Sequence, residues 1–581
     1  MIKRNENIIK QKIMQYIIPG VMLTAALQVG NIVDTIMVGN ILGPVAMSAV
    51  KIGMAIDNVM ELPGYVLAIG GSVAVGNLLG KREREKANRV FSCTLAISLI
   101  LGLVFSILSL TSPWLAVMLT GGNELTGDVQ RFIFMTLLCA PIVSMALQMI
   151  SYVAVDNNPS LASAYVITAN VLNLGIDYIL LKYSPLGTAG AALSTALGYG
   201  IAMVLLIGYV KSSKRMLSLI NPFRNIKESL MAAGKAGIPT LLFMVFLTLK
   251  DIGLNSMTIR VIGTDAMIIY TVCANVVLCV ELLAGGIIGI ISSIGSVLYG
   301  EKDYFGIRSL VKHVMIYSYG VLVVLMVILI LKPEGIVILF GVSDPRILGV
   351  AVTALRIFIL SLPFYLWNKF FTTYYQSTDK TTLSSISTSL QTCVAILPAA
   401  YILVFCAKAM KLDMLNAFMI AFIVSEVITA LAVLVYRKVK YKGEDFLILP
   451  EQNDKVTEFT ISNQPEKIEE ATKEVMQFAV SNQVPEKRAN LMAVAVEEML
   501  VNIFCYGGKN AKDVDVILHV TDEAMILRVT DNGIPFDPTD YTVDYDQYEI
   551  HGIETIKKLS TKVQYIRVLD LNNTILEVDY H

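Results

Sequence analysis

The sequence predicts an all-α polytopic membrane protein followed by a C-terminal α/β sandwich. The chain has 581 residues, of which 55% are hydrophobic, and its mean hydropathy of +0.64 is too high for a water-soluble protein of this length. Charge separates the two parts, since residues 443–581 contain 12 Lys+Arg and 26 Asp+Glu (net −14). Residues 1–442 contain 34 Lys+Arg and 21 Asp+Glu (net +13). We therefore expect a membrane part at 1–442 and a cytoplasmic domain at 443–581.

Hydropathy predicts twelve membrane-spanning helices. An apolar stretch of about 20 residues is long enough to cross the hydrocarbon core of a bilayer as a helix. Six such stretches fall in each half of the membrane part. They lie near residues 14–37, 48–76, 92–119, 131–154, 161–182, 187–210, 236–257, 268–296, 312–332, 352–376, 384–405 and 413–436.

The two halves of the membrane part repeat one another. When the numbering is shifted by 220, Pro19 aligns with Pro239 and Glu61 aligns with Glu281. Without any gap, 13 of the 63 pairs that begin at position 18 are identical, which shared hydrophobicity alone does not explain. We therefore predict two six-helix lobes, residues 1–220 and 221–442, related by an axis along the membrane normal. The substrate site is expected between them.

Basic residues predict the orientation in the membrane. They cluster before the first span, between the second and third, between the two halves and after the last span. The alternate loops, such as 120–130, contain few basic residues. Because cytoplasmic loops are enriched in Lys and Arg, we expect both termini in the cytoplasm.

Cysteine and histidine patterns argue against disulfides and metal centres of the usual kinds. The seven cysteines include no CxxC pair, and six lie in apolar runs. The four histidines are scattered without the spacing of metal ligands. Neither a disulfide framework nor a zinc site is expected.

Asp34 and Asp177 are carboxylates inside the first and fifth predicted spans. Asp34 is deep in the first span, where a carboxylate costs a few kcal/mol or more and so marks a candidate functional site. In the fifth span, Asn170, Asn173 and Asp177 are three and four residues apart and share one helix face. That face offers oxygen ligands and a titratable group suited to Na⁺ or H⁺. The alternative is that these side chains only join helices through hydrogen bonds.

Other charges within the spans are weaker clues. The repeat-related Glu61 and Glu281 fit either lobe packing or the cavity wall. Lys250 and Asp251 are adjacent in the seventh span and fit either a position near an interface or, as the favoured interpretation, a snorkelling or mutually compensating pair.

The membrane part resembles the multidrug and toxic compound extrusion (MATE) family. The resemblance rests on Pro19 and Asp34 in the first span and Gly43 after it, followed by GGSVAVGNLLGKREREKANRV at 70–90, and covers about residues 10–440. It implies a cation-driven antiporter with alternating access, in the plasma membrane of a prokaryote, that exports small organic, cationic or drug-like compounds. The coupling residues that it implies are Asp34, Asn173, Asp177 and Thr195, with Na⁺ or H⁺ as the coupling ion.

The tail alternates strand and helix patterns. Strands are predicted near 455–461, 514–521, 524–531, 563–569 and 573–579, and helices near 465–482, 486–505 and 552–560. This order predicts an α/β sandwich with a mixed or antiparallel sheet.

Two motifs in the tail point to nucleotide chemistry. Glu498 and Asn502 are four residues apart and share a helix face, so the Glu can polarise a hydroxyl beside a Mg²⁺ that the Asn amide ligates. In VTDNGIPFDP at 529–538, Asp531 ends a strand, where its carboxylate can accept a hydrogen bond from an adenine amino group. Gly533 allows the backbone to approach the ring closely.

The tail resembles the GHKL ATPase superfamily, in particular the anti-sigma-factor serine/threonine kinases, over about 455–580. The resemblance implies ATP and Mg²⁺ binding, with Glu498 as catalytic base, Asn502 on Mg²⁺, and Asp531 and Thr574 at the adenine. The lid of that family usually has two or more glycines, whereas YEIHGIETIKKL here retains only Gly552. It also implies a cytoplasmic protein partner of STAS (anti-anti-sigma) type.

Three functions remain open from the sequence. The first is an exporter whose tail regulates it, or signals from it, through ATP. The second is a membrane-anchored serine/threonine kinase that uses the helices as a sensor. The third is a flippase for lipid-linked sugars.

Overall fold

We analysed a computed structural model of the chain. It describes residues 3–580 except 123, 157, 207–208, 210–214, 341–343, 451–454, 509–510, 541–555 and 558–559. The side chains of residues 27–36, 44, 264 and 465 also lie outside the described part.

The chain forms two compact units. The membrane unit comprises Gln15–Asp303 and Leu310–Lys442. The tail unit comprises Gly443–His581 together with two segments from earlier in the chain, Met1–Met14 and Tyr304–Ser309. The sequence did not indicate that these two segments join the tail.

The first half of the membrane part is helical in every predicted span. Its long helices begin at prolines or polar residues and continue through apolar runs, as the hydropathy predicts. The helices are α1 (Asn7–Ile41), α2 (Pro44–Gly80), α3 (Arg84–Leu108), α4 (Ser112–Thr120), α5 (Thr126–Leu138), α6 (Ala140–Val155), α7 (Pro159–Tyr183) and α8 (Thr188–Ala202).

The second half follows the same plan, with short π-helical turns interrupting several helices. Its helices are α9 (Ile226–Met257), α10 (Thr264–Val280), α11 (Gly286–Ile288), α12 (Ser296–Glu301), α13 (Tyr304–Leu331), α14 (Pro333–Leu339), α15 (Pro345–Ile359), α16 (Leu362–Ser377), α17 (Thr381–Ser389), α18 (Ile396–Ala409) and α19 (Met414–Lys440).

Nine helices in the described part of the chain are long and apolar enough to cross a membrane, or up to eleven if each of two bent pairs counts as one span. One of the nine, Glu486–Tyr506, belongs to the tail unit and packs on its sheet. The total of twelve spans therefore stays a prediction.

The repeat is visible in a reciprocal contact between the halves of the membrane unit. A Cβ atom on Gly80 would lie 2.1 Å from the Val297 carbonyl oxygen, and one on Gly300 would lie 2.1 Å from the Asn77 carbonyl oxygen. Gly80 and Gly300 are related by the shift of 220, and so are Asn77 and Val297. Each glycine therefore lets its helix approach the backbone of the equivalent helix in the other half.

Within its described residues, the tail after Lys442 is an antiparallel five-stranded sheet with two helices. The strand order is β1-β2-β3-β5-β4, and every pairing is antiparallel. Alternate apolar residues of β1, β2, β3 and β5 form a core with the helices. The elements are β1 (Val456–Ser462), α20 (Pro465–Ser481), α21 (Glu486–Tyr506), β2 (Asp513–Val520), β3 (Ala524–Asp531), β4 (Lys562–Val568) and β5 (Leu571–Asp579).

Candidate functional sites

Helices α7 and α8 bring three of the four predicted coupling residues together. Asn173 Nδ2 donates to Thr195 Oγ1 over 2.8 Å. One helical turn further along α7, Asp177 Oδ1 accepts a hydrogen bond of 2.5 Å from Ser194 Oγ. Asp177 and Ser194 are fully buried, and Asn173 is nearly so. The result is a small polar site enclosed by two packed helices.

Ser194 is a site residue that the sequence analysis missed. It precedes Thr195 on α8, and its hydroxyl also donates to the Ala191 carbonyl oxygen over 2.7 Å. The sequence signal for Ser194 was its position beside Thr195 in the small-residue run TAGAALSTALGYG. Small residues let α8 pack closely on α7, but the sequence does not show which hydroxyl then meets Asp177. A hydroxyl donor stabilises the ionised form of a buried carboxylate.

The first helix is tied to α7 by two polar contacts that precede the site along α7. Asn170 Nδ2 donates to the Ala26 carbonyl oxygen over 2.5 Å, and Ser163 Oγ donates to the Pro19 carbonyl oxygen over 2.7 Å. Thus Asn170 packs helices, whereas Asn173 and Asp177 form the site with α8. Asp34 lies on α1, but its side chain is outside the described part of the structure.

The second half contains a separate polar network. Glu281 receives a short hydrogen bond from the Tyr365 hydroxyl, and its Oε2 lies 3.2 Å from Lys369 Nζ. Glu426 Oε2 accepts from Asn368 Nδ2 over 2.7 Å and from Gln391 Nε2 over 3.1 Å. The sequence analysis named Glu281 but missed the others, which come from three helices far apart in the chain.

The favoured interpretation of the adjacent charges Lys250 and Asp251 agrees with their geometry. Lys250 Nζ lies 3.6 Å from Asp251 Oδ1. The pair is an ion pair of moderate distance between neighbours on α9.

In the tail unit, Asp531 sits in a dense hydrogen-bond network at the end of β3. Its Oδ1 accepts from the Gly533 N–H over 2.7 Å and from Asn572 Nδ2 over 2.8 Å. Asn572 is opposite Asp531 in the β3–β5 register, and its Oδ1 accepts from Arg567 Nη1 over 2.6 Å and from the Tyr565 hydroxyl over 2.8 Å. Asn572 therefore orients the Asp531 carboxylate, and the sequence analysis missed it.

The environment of Asp531 shifts its protonation. Burial raises the pKa of the Asp531 carboxyl above its ordinary value, while the hydrogen bonds from Asn572 and Gly533 act in the opposite direction. The carboxyl is only 4% exposed. The ionised form of Asp531 is therefore stabilised mainly by the hydrogen bonds from Asn572 and Gly533.

The turn after Asp531 requires glycine. A Cβ atom on Gly533 would lie 2.7 Å from the Gly507 carbonyl oxygen and 2.8 Å from Asp531 Oδ1. Ile534, the next residue, also contacts Gly507, since the Ile534 N–H donates to the Gly507 carbonyl over 2.9 Å. The motif turn is thereby held against the end of α21, one to two turns beyond Asn502.

Three of the remaining predicted tail residues, Thr574, Glu498 and Asn502, lie on the same side of the sheet as Asp531. Thr574 is buried on β5 opposite Val529, so it faces the helices on the same side as Asp531. Glu498 and Asn502 are half-buried on α21, which packs against β3 and β5. Gly552 lies in the segment 541–555, outside the described residues.

These residues fit an adenine nucleotide. Among the described residues, Asn502 Nδ2 is a buried nitrogen without a hydrogen-bond partner, which leaves an unsatisfied donor that a bound group can occupy. Asp531 offers a buried carboxylate beside a glycine that leaves no room for a side chain. The donor set is therefore compatible with ATP.

The fold and these sites define a multi-pass membrane transporter with a separate ATPase-like domain. The MatE family model matches residues 19–179 and 239–402, and the model described as histidine kinase-like ATPase domain matches residues 461–577. The first match covers more than half of the chain, so the protein belongs to the MatE family.

Relatives and solved structures agree with this assignment. The chain is 24% identical over 319 residues to the multidrug export protein MepA of Staphylococcus haemolyticus, which covers 54% of this chain and 70% of the relative. It is 21% identical over 325 residues to the probable multidrug resistance protein YoeA of Bacillus subtilis, covering 53% and 69%. A MOP superfamily transporter from Pyrococcus furiosus is 19% identical with a TM-score of 0.66, covering 75% of this chain and 97% of that one.

Proposed function

We propose that the protein is a cation-coupled antiporter that exports small organic, cationic or drug-like compounds, and that its tail binds ATP and regulates it. The observation that carries the transport proposal is the enclosed α7–α8 site, where Asp177 meets Ser194 and Asn173 meets Thr195. A carboxylate buried between membrane helices requires a proton or a compensating positive charge. This requirement gives the site its coupling chemistry.

Coupling follows from differential binding. The ionised Asp177, with Asp34 on α1, attracts Na⁺ or H⁺, and the bound ion changes the charge that α7, α8 and α1 must accommodate. An ion shifts a conformational equilibrium only as far as its affinities for the two conformations differ. Export then depends on an ion that binds more tightly to the conformation open to the outside.

The tail residues have separate roles toward ATP. Asp531 accepts a hydrogen bond from the adenine amino group, and Gly533 allows close approach of the adenine ring. Thr574 lies at the adenine end of the nucleotide site. Asn502 ligates Mg²⁺, and Mg²⁺ supplies charge neutralisation at the phosphates when it is bound. In this proposal Glu498 acts as the base for a hydroxyl, and Gly552 belongs to the phosphate-lid segment that the resemblance implies.

Transport in proteoliposomes tests the first proposal. Uptake of a cationic dye is measured under Na⁺ and H⁺ gradients with wild type, Asp34→Asn and Asp177→Asn. We expect uptake that requires one of the gradients and is lost in both variants. Equal dye movement in the wild type and the two variants would refute the proposed coupling site.

A second candidate function is a membrane-anchored serine/threonine kinase that uses the transporter-like part as a sensor. It is favoured by the half-buried Glu498, one turn before Asn502 on the helix that supports the Asp531 turn. Phosphotransfer from labelled ATP to a STAS-type protein, lost in Glu498→Ala and accompanied by no dye transport, would support the kinase. Dye transport that Glu498→Ala leaves intact would favour the exporter.

A further inference from the structure

The tail sheet has a polar face that the motif analysis did not explain. In β1 and β2, Phe459, Ile461, Val514 and Val516 point into the helix-covered core. The alternate positions therefore point to the opposite face, because side chains alternate along a strand. These positions contain Glu458, Thr460, Ser462, Asp513 and Asp515.

Arg4 is buried on this polar face. Its Nε and Nη2 each lie 3.0 Å from Asp515 Oδ2, and its Nη1 lies 3.0 Å from Glu458 Oε2. The Arg4 and Asp515 side chains are 3% and 2% exposed. The guanidinium carbon is also 4.9 Å from the centre of the Phe305 ring, in the second segment that joins the tail unit. A guanidinium buried with two carboxylates is a specific contact, because breaking it leaves charges without compensation.

The residues after Arg4 continue the contact along the same strands. The Asn5 N–H donates to Thr460 Oγ1 over 2.9 Å, and Thr460 in turn donates to Asp515 Oδ1 over 2.7 Å. Asn7 Nδ2 donates to Asp513 Oδ2 over 3.1 Å. The polar side chains of Thr460, Asp513 and Asp515 on the sheet are thus linked by hydrogen bonds to one short segment. We call it the latch segment (residues 3–14).

The latch segment ends on the nucleotide motif. Asn532, between Asp531 and Gly533, donates from Nδ2 to Gln11 Oε1 over 2.9 Å. Lys12 Nζ lies 3.4 Å from the carbonyl oxygen of Asp570, whose carboxylate accepts from Arg567. Arg567 Nη1 in turn donates to the Gly533 carbonyl over 3.1 Å. A movement of the Asp531–Gly533 turn would therefore alter the hydrogen bond between Asn532 and Gln11 directly.

The latch segment is continuous with the first membrane helix. Helix α1 begins at Asn7 and continues to Ile41, so Gln11 and the candidate coupling residue Asp34 lie on one helix. Charge favours the contact as well, since the basic Lys3, Arg4, Lys10 and Lys12 belong to a segment that docks on a domain of net charge −14.

We propose that the latch segment is an intramolecular partner of the ATP-binding domain and transmits nucleotide occupancy from the Asp531–Gly533 turn to α1. The proposal rests on the ATP binding proposed above. Nucleotide binding reorganises the turn, changes the Asn532–Gln11 contact and biases the position of α1 in the transport cycle.

Hydrogen exchange on the full-length protein tests the latch segment without relying on transport. Binding of a fluorescent ATP analogue is measured first, and exchange of the peptide covering residues 3–14 is then measured with and without AMP-PNP and Mg²⁺. We expect the exchange rate to change about threefold or more in wild type. Analogue binding without any change in this peptide would overturn the latch proposal and leave ATP binding standing. Absence of analogue binding would overturn both.

Three variants identify the contact that transmits the signal. Gln11→Ala removes one exposed hydrogen bond and so preserves the fold, whereas Arg4→Ala removes the buried ion pair. Lys10→Ala is the matched control, because Lys10 carries the same charge in the same segment but is exposed. We expect the AMP-PNP effect on exchange to be weakened in Gln11→Ala, lost in Arg4→Ala and retained in Lys10→Ala. An unchanged effect in both Gln11→Ala and Arg4→Ala would refute the latch.

Discussion

At the scale of single residues, the chemistry of both sites depends on donors that orient a buried carboxylate. Ser194 does this for Asp177 in the membrane unit, and Asn572 does it for Asp531 in the tail. In each case the carboxylate stands out in the sequence but its donor does not. The donor is chosen by packing between two elements, so its role follows from tertiary contacts.

Replacing Ser194 should impair ion coupling. Ser194→Ala removes a hydrogen bond to a charged group, which is worth about 1.5–3 kcal/mol, so we expect the half-saturating Na⁺ or H⁺ concentration for dye uptake to change about tenfold or more. Ser318→Ala is the control, because Ser318 is fully buried on α13 and its hydroxyl has no hydrogen-bond partner among the described residues. An equal effect of both substitutions would indicate general destabilisation.

Acidification should weaken nucleotide binding through Asp531. Burial raises the pKa of this carboxyl, so it takes up a proton at a higher pH than an ordinary aspartate and can then no longer accept from adenine as an anion. We expect the affinity for a fluorescent ATP analogue to fall as the pH drops through that raised pKa. The affinity of Asp531→Asn should be low and should lack this pH-dependent step. A wild-type profile that matches the variant would count against the role of Asp531.

At the scale of elements, helix packing sets the geometry of the candidate α7–α8 site. A Cβ atom on Gly198 would lie 2.6 Å from the Ala169 carbonyl oxygen and 3.1 Å from Asn173 Cβ. The absence of a side chain at Gly198 therefore allows α8 to approach α7 closely enough for Thr195 to reach Asn173 and for Ser194 to reach Asp177.

Adding one methyl group at this position should disrupt transport. In Gly198→Ala, the contact with the Ala169 backbone forces α7 and α8 apart, so we expect gradient-driven dye uptake to fall about tenfold. Gly200→Ala is the matched control on the same helix, because the nearest atom to its Cβ would be Ile142 Cγ2 at 3.6 Å. Uptake should be retained in that variant, and a loss in both would point to helix propensity instead.

At the scale of the whole molecule, charge predicts which side of the membrane the tail occupies. The basic loops predict that both termini are cytoplasmic, and Cys505 is an exposed residue of the tail unit. A charged, membrane-impermeant maleimide should therefore label Cys505 in inverted membrane vesicles and not in intact cells.

The labelling is specific if Cys505→Ser removes it from inverted vesicles. Cys406 is also exposed in the structure, but it lies on the apolar helix α18, where a charged reagent is excluded by lipid. Labelling of Cys505 in intact cells would reverse the predicted orientation.

The sequence by itself determined the class of the protein. Hydropathy and the motif around Asp531 are local properties of the chain, and the repeat at a shift of 220 is found by comparing one part of the chain with another. All three are therefore visible in the sequence without a structure. They predicted the helical membrane part and the α/β tail, whereas the candidate coupling residues, including Asn173 and Thr195, came from the family resemblance.

Only the tertiary structure decided which distant residues meet. Ser194 and Asn572 act through contacts between elements, Lys369 and Glu426 join a network that spans several helices, and Arg4 pairs with a residue 511 positions away. No periodicity links such positions, because each pairing is set by how whole helices and strands pack. The same reason explains why the sequence placed residues 3–14 with the membrane lobe, while burial of one guanidinium between two carboxylates places them on the tail sheet.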